Sequence, residues 1–203
     1  MLRIRYSIVM ASSTRARRLS AQDWIKAATD ALVQEGVGGV AVEPLAASLG
    51  TTKGSFYHHF INRDALISAV LTDWEREQTE TVIERLQLIR DPRERLRAVM
   101  DAAVTDREGG IRDAAFLSAA HHPLVRPVVA RVTARRLGYM ADSFAELGMP
   151  RAQAIRRAML LYLSYLGLFN YMKALDAGLS DGRLDAYAQE LVLALIPPAK
   201  GEP

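Results

Sequence analysis

Cysteine is absent from all 203 residues, which excludes disulfides, thiolate metal sites and cysteine nucleophiles together and agrees with a reducing compartment. Long apolar runs are missing as well. The longest stretch without a charge, Ala158 to Met172, covers 15 residues and includes Ser164 and Asn170, too short and too polar to cross a membrane. The opening MLRIRYSIVM is interrupted by Arg3 and Arg5 and carries no signal-peptide pattern. A soluble cytoplasmic protein is expected. No segment alternates apolar and polar residues as a strand would. Nucleophile elbows, glycine-rich phosphate loops and metal-ligand spacings do not occur, so neither an enzyme nor a cofactor is expected. The four histidines form two adjacent pairs, His58-His59 and His121-His122. Neighbours on a helix diverge by about 100°, so neither pair suits a single metal ion and no metal site is expected.

Half of the residues are hydrophobic, enough for a substantial core. The net charge is +3, and the excess lies in the first 60 residues, where seven Lys and Arg face four Asp and Glu. Residues 1–19 read as a basic arm, or as a shorter one if Met10 is the true start. Helical periodicity follows nearly everywhere, and the spacing predicts an all-α chain of about nine helices. Ser20 caps the first, with Asp23 as its capping-box partner, and Gly36 stops it. A short helix spans about Val42 to Leu49, and Gly50 separates it from another running from a Thr52 cap to about His59. A fourth begins at Asn62 and extends to about Ile89. Asp91-Pro92 opens the next. Glu108-Gly109-Gly110 reads as a break, with a new helix from about Ile111. Further helices cover Leu124 to Leu147, Arg151 to about Ala177, and Asp181 to Ile196.

Two short helices joined by a glycine turn have the form of a helix–turn–helix, whose second helix presents its first residues to base edges. In TTKGSFYHHF (residues 51–60), Phe56 and Phe60 share one face and should pack inward. Lys53, Ser55, Tyr57 and His59 project elsewhere. Gly54 leaves room for a phosphate beside the first-turn N–H groups, and Lys53 could donate to guanine or to phosphate.

The stretch VEPLAASLGTTKGSFYHHFINRDALISAV resembles the helix–turn–helix signature of TetR-family transcriptional regulators. The matching residues are Leu45-Ala46, Gly50, Thr52-Lys53, Tyr57, Phe60, Arg63 and Leu66, and the likeness extends from Ala21 to Leu71. The resemblance implies a three-helix DNA-binding domain over 20–66 and a helical-bundle domain for effector binding and dimerisation over 67–203. It implies base or phosphate contacts from Thr52, Lys53, Gly54 and Ser55, phosphate contacts from Tyr57, His58 and His59, and a phosphate clamp from Arg63. Where the family often has Thr at the start of the second helix, this chain has Ala41. The expected function is a repressor released from a palindromic double-stranded DNA operator by a small-molecule effector. Alternatives are a helical small-molecule binding protein without DNA function and a ligand-independent activator.

For the effector pocket, the polar and aromatic residues of the later helices are the candidates: Arg112, Ser118, His121, His122, Tyr139, Met140, Phe144, Tyr162, Tyr165, Phe169 and Asn170. Apolar residues surround the segment from Ala158 to Met172, so it needs cover on two sides. A homodimer through the last two helices, about 151–177 and 181–196, would provide it.

Overall fold

Every predicted helix except one starts within about two residues of its sequence signal. The computed structural model describes residues 19–175 and 181–197. Residues 1–18, with the arm arginines, lie outside the described residues, as does Ala177. Nine helices occur among the described residues. They are α1 (Ala21–Glu35), α2 (Val42–Ser48), α3 (Lys53–His59), α4, α5 (Pro92–Thr105), α6 (Arg107–Ser118), α7 (Val125–Glu146), α8 (Arg151–Leu175) and α9 (Asp181–Leu195). The long α4 joins Arg63–Glu75, a π-helical segment Arg76–Glu80, and Thr81–Gln87 without a break.

The capping chemistry explains the starts. The Asp23 backbone N–H donates to Ser20 Oγ, and Asp23 returns its carboxylate to the Ser20 N–H at 2.7 Å, the full capping box. Asn62 Oδ1 accepts from Ala65 N at 2.8 Å, and Asp91 Oδ1 from Arg93 N at 2.7 Å. Gly36 ends α1 at φ 73° and Gly148 follows α7 at φ 87°, both in the region that favours glycine.

The exception is the Gly109-Gly110 pair. These glycines do not break a helix; they lie buried in the first turns of α6, which starts at Arg107 with Asp106 as its cap. Packing is the reason. A Cβ on Gly110 would overlap the Phe169 ring of α8, and one on Gly109 would strike the Asp106 carboxylate and Gln78. The glycines therefore let α6 approach its neighbours closely, at some cost in helix propensity.

One apolar cluster holds Trp24, Leu32, Phe56, Leu66 and Trp74 together with Phe116, Val125 and Val129, so the N-terminal helices and the α6–α7 corner share a continuous core. A second cluster fills the space between α5, α7, α8 and α9 around Met100, Phe144, Leu161 and Phe169. The helix α4 runs from the first cluster past the second. None of the described helices is long and apolar enough to cross a membrane.

Candidate nucleic-acid interface and ligand cavity

The short α3 is held by its aromatic side. Phe56 is fully buried, meets the Trp24 ring edge-on at 5.3 Å and stacks on the half-buried Phe60 at 5.8 Å. That packing turns Thr52, Lys53, Gly54, Tyr57 and His58 outward, all exposed, with Ser55 half-buried. Thr52 occupies the N-cap position, yet its side chain makes no capping bond. A Cβ on Gly54 would meet only Thr52 Oγ1, at an ordinary 3.5 Å. Nothing among the described residues demands glycine there; close approach from outside would.

Three polar side chains have partners that the sequence did not disclose. The Lys53 ammonium pairs with the Glu43 carboxylate of α2, both exposed; hydrogen bonding and charge raise the one pKa and lower the other. The half-buried His59 donates from Nε2 to the Leu19 carbonyl at 3.0 Å, tying α3 to the entry of α1. Arg63 turns inward. Its Nε donates to Val40 O at 2.5 Å and its Nη2 to Val37 O, so the guanidinium straps the α1–α2 connection to the start of α4. Expected as a phosphate clamp, Arg63 has two of its three nitrogens committed to backbone carbonyls.

A cavity of about 540 Å³ opens between the π-helical part of α4 and helices α5 to α8, within the usual range for small-molecule sites. Of the residues expected to line it, Tyr139, Met140, Tyr162 and Tyr165 do. The others lie elsewhere. Phe144 and Phe169 are fully buried core residues, and Asn170 donates to the Leu166 carbonyl of its own helix. Ser118 donates to Ala114 O, and His121 and His122 hydrogen-bond within the α6–α7 turn through Ser118 O and Leu124 N. Arg112 faces a separate charged groove against α1 with Gln22 and Lys26.

Sequence reading missed the polar centre of the cavity wall. Asp113, only 3 % exposed, accepts from Trp74 Nε1 at 2.6 Å, from the Tyr165 hydroxyl at 2.9 Å and from two nitrogens of Arg136. Arg136 also donates from Nε to Thr79 Oγ1 at 2.9 Å and from Nη2 to the Gln78 carbonyl at 3.0 Å, within the π-helical segment. Its guanidinium lies 5.6 Å from the centre of the Trp74 ring. Burial alone would push Arg136 down, but the Asp113 charge and hydrogen bonds outweigh it and hold it protonated. Burial, then the Asp113 charge, raises the Tyr165 hydroxyl well above 10.0.

Residues 25–70 match the family model for bacterial regulatory proteins of the tetR family. That segment contains most of α1, all of α2 and α3, and the first turns of α4 carrying Leu66 and Val70. The chain thus carries the N-terminal segment typical of the TetR family. Comparison with curated protein sequences returns no match. Among solved structures, a TetR-family transcriptional regulator from Agrobacterium tumefaciens superposes with a TM-score of 0.72 at 17% identity, covering 86% of this chain and 96% of its own. AibR, solved with isovaleryl coenzyme A and operator DNA, gives 0.65 at 22%, covering 88% and 98%. FadR from Bacillus subtilis, solved with stearoyl-CoA, gives 0.66 at 12%, covering 85% and 98%. At these identities the likeness establishes the fold.

In this chain α4 belongs to both candidate sites. Its first turns are strapped by Arg63 beside α3, and its π-helical segment forms the cavity wall. Two exposed arginines of α7 brace it from outside: Arg131 donates to Glu75 at 2.6 Å and Arg135 to Glu80 at 3.3 Å.

Proposed function

We propose that this chain is a repressor that binds a palindromic operator as a homodimer and leaves it when a small molecule fills the cavity. The observation that carries the reading is the course of α4. Ligand in the cavity would touch, through Gln78 and Thr79, the same helix that holds the α1–α2 connection through Arg63 and shares the Leu66–Trp74 core with Phe56 of α3. Residues 20–66 would serve DNA and 67–203 the effector and the partner subunit. Thr52, Lys53, Gly54, Ser55, Tyr57 and His58 form the DNA-facing set, with His59 and Arg63 holding that surface in place.

Dimerisation is supported by α8, where Ile155, Met159, Leu160, Leu163 and Tyr171 are each about half exposed on one long helix. Such a stripe is unfavourable in water and suits a second copy. The dimer would set two α3 helices about 34–36 Å apart, in successive major grooves. For release, the effector must bind better to a conformation that spoils this spacing, and DNA must then weaken effector binding equally. AibR was solved with isovaleryl coenzyme A and operator DNA and FadR with stearoyl-CoA, which supports reading the cavity as an effector site.

Titration of the DNA flanking the chain's own gene, followed by fluorescence anisotropy at several salt concentrations, tests the reading. A sequence-selective complex with a steep salt slope is expected. Lys53→Ala should cost about 1–3 kcal/mol at the selected site if Lys53 reads a base. Absence of any selective complex would refute the function.

A further inference from the structure

The buried charge in the cavity wall is already paired. Asp113 and Arg136 face each other at contact distance, buried, with opposite signs. Asp113 accepts four hydrogen bonds, two on each oxygen, which exhausts a carboxylate. Arg136 uses four of its five N–H groups on Thr79, Gln78 and Asp113. The other charged lining residues, Arg85 and Asp106, are exposed, again one of each sign. Most of the remaining surface is aliphatic, including Val82, Leu86, Val99 and Leu161.

An anion entering the buried part of this space, away from the exposed Arg85, would have to take Arg136 from Asp113 and leave a carboxylate buried without its counter-charge. A cation would do the reverse. Breaking a buried pair from either side is strongly unfavourable, whereas an uncharged ligand leaves it intact. Three neutral polar groups of the wall remain for such a ligand. Among the described residues the side-chain amide of Gln78 has no hydrogen-bond partner, the Tyr139 hydroxyl is buried without one, and the Tyr162 hydroxyl has only a long 3.4 Å contact with Thr133. All three can donate and accept.

We infer that the part of the effector inside this cavity is uncharged and largely apolar, with a carbonyl or similar neutral acceptor directed to Gln78, Tyr139 or Tyr162. The saturated Asp113–Arg136 pair is the selectivity device that turns ions away. This rests on the reading of the cavity as the effector site.

Three probes of matched shape test it on the full chain near neutral pH: 2-acetylnaphthalene, 2-naphthoate and 2-naphthylmethylammonium, with binding measured by equilibrium dialysis. The ketone should bind at least about tenfold more tightly than either ion. Asp113→Asn leaves Arg136 uncompensated and should turn the preference toward naphthoate; Arg136→Gln should turn it toward the ammonium. If either variant fails to fold, the three-probe comparison on the unaltered chain decides alone. An ion that binds as well as the ketone, or failure of all three probes to bind, overturns the inference. A ketone that binds but leaves the operator complex intact would instead refute the effector reading while the ligand class stands.

Discussion

Replacing Arg63 by alanine separates two roles that the same residue could play. As a phosphate contact, Arg63 would leave stability unchanged on removal, weaken all DNA sequences alike and lower the salt slope by about 1. The structure instead commits it to the carbonyls of Val37 and Val40, in a connection whose Val40 side chain is fully buried. Hydrogen bonds from a charged donor contribute about 1.5–3 kcal/mol each, and Arg63 is half-buried, so the lower end applies. Loss of both should cost about 2–3 kcal/mol, which in a domain of this size lowers Tm by roughly 4–12 °C. Circular dichroism melting gives the stability, and anisotropy titration at a temperature where both proteins are folded gives the salt slope. The expected result is a lower Tm with an unchanged slope. An unchanged Tm with a slope reduced by about 1 would refute the strap and restore the phosphate clamp.

Two further outcomes follow from the bundle. Gly110→Ala drives a methyl into the fully buried Phe169 ring, and overpacking of about 1–3 kcal/mol should exceed the gain of up to about 1 kcal/mol in helix propensity. A melting curve at or above the parent's would show that α6 and α8 are not in close contact. The raised pKa of Tyr165 means that the folded chain holds this proton more tightly than the unfolded one. Its contribution is full below pH 10.0 and lost as pH rises beyond it, so Tyr165→Phe should flatten the alkaline loss of stability measured by urea unfolding. An identical alkaline slope in the variant would place Tyr165 in water.

The candidate DNA surface was legible because its signals are local. Phe56 and Phe60 lie four apart and need only helical geometry to share a face, and Ser20-Asp23 and Asn62 act within three residues of themselves. The cavity was legible in part: Tyr139, Met140, Tyr162 and Tyr165 line it, but Phe144 and Phe169, aromatic and on the same helices, went into the core. Nothing in residue type separates those outcomes, since rotation about the helix and the position of the neighbouring helix decide them. Asp113 and Arg136 gave no signal in the sequence, because their hydrogen-bond partners Trp74, Gln78, Thr79 and Tyr165 lie as many as 58 residues away.

By itself the amino-acid sequence determined that the chain is helical, where most helices begin and end, and which segment resembles a TetR-type DNA reader. Capping, glycine stops and apolar period act over a few residues and survive in any context. Only the tertiary structure decided that Gly109 and Gly110 allow helices to touch, that Arg63 faces inward, and that one buried ion pair stands between the cavity and α4. Those outcomes depend on which side chains meet across separate helices, and a charge or a glycine has no meaning of its own until its neighbours in space are set.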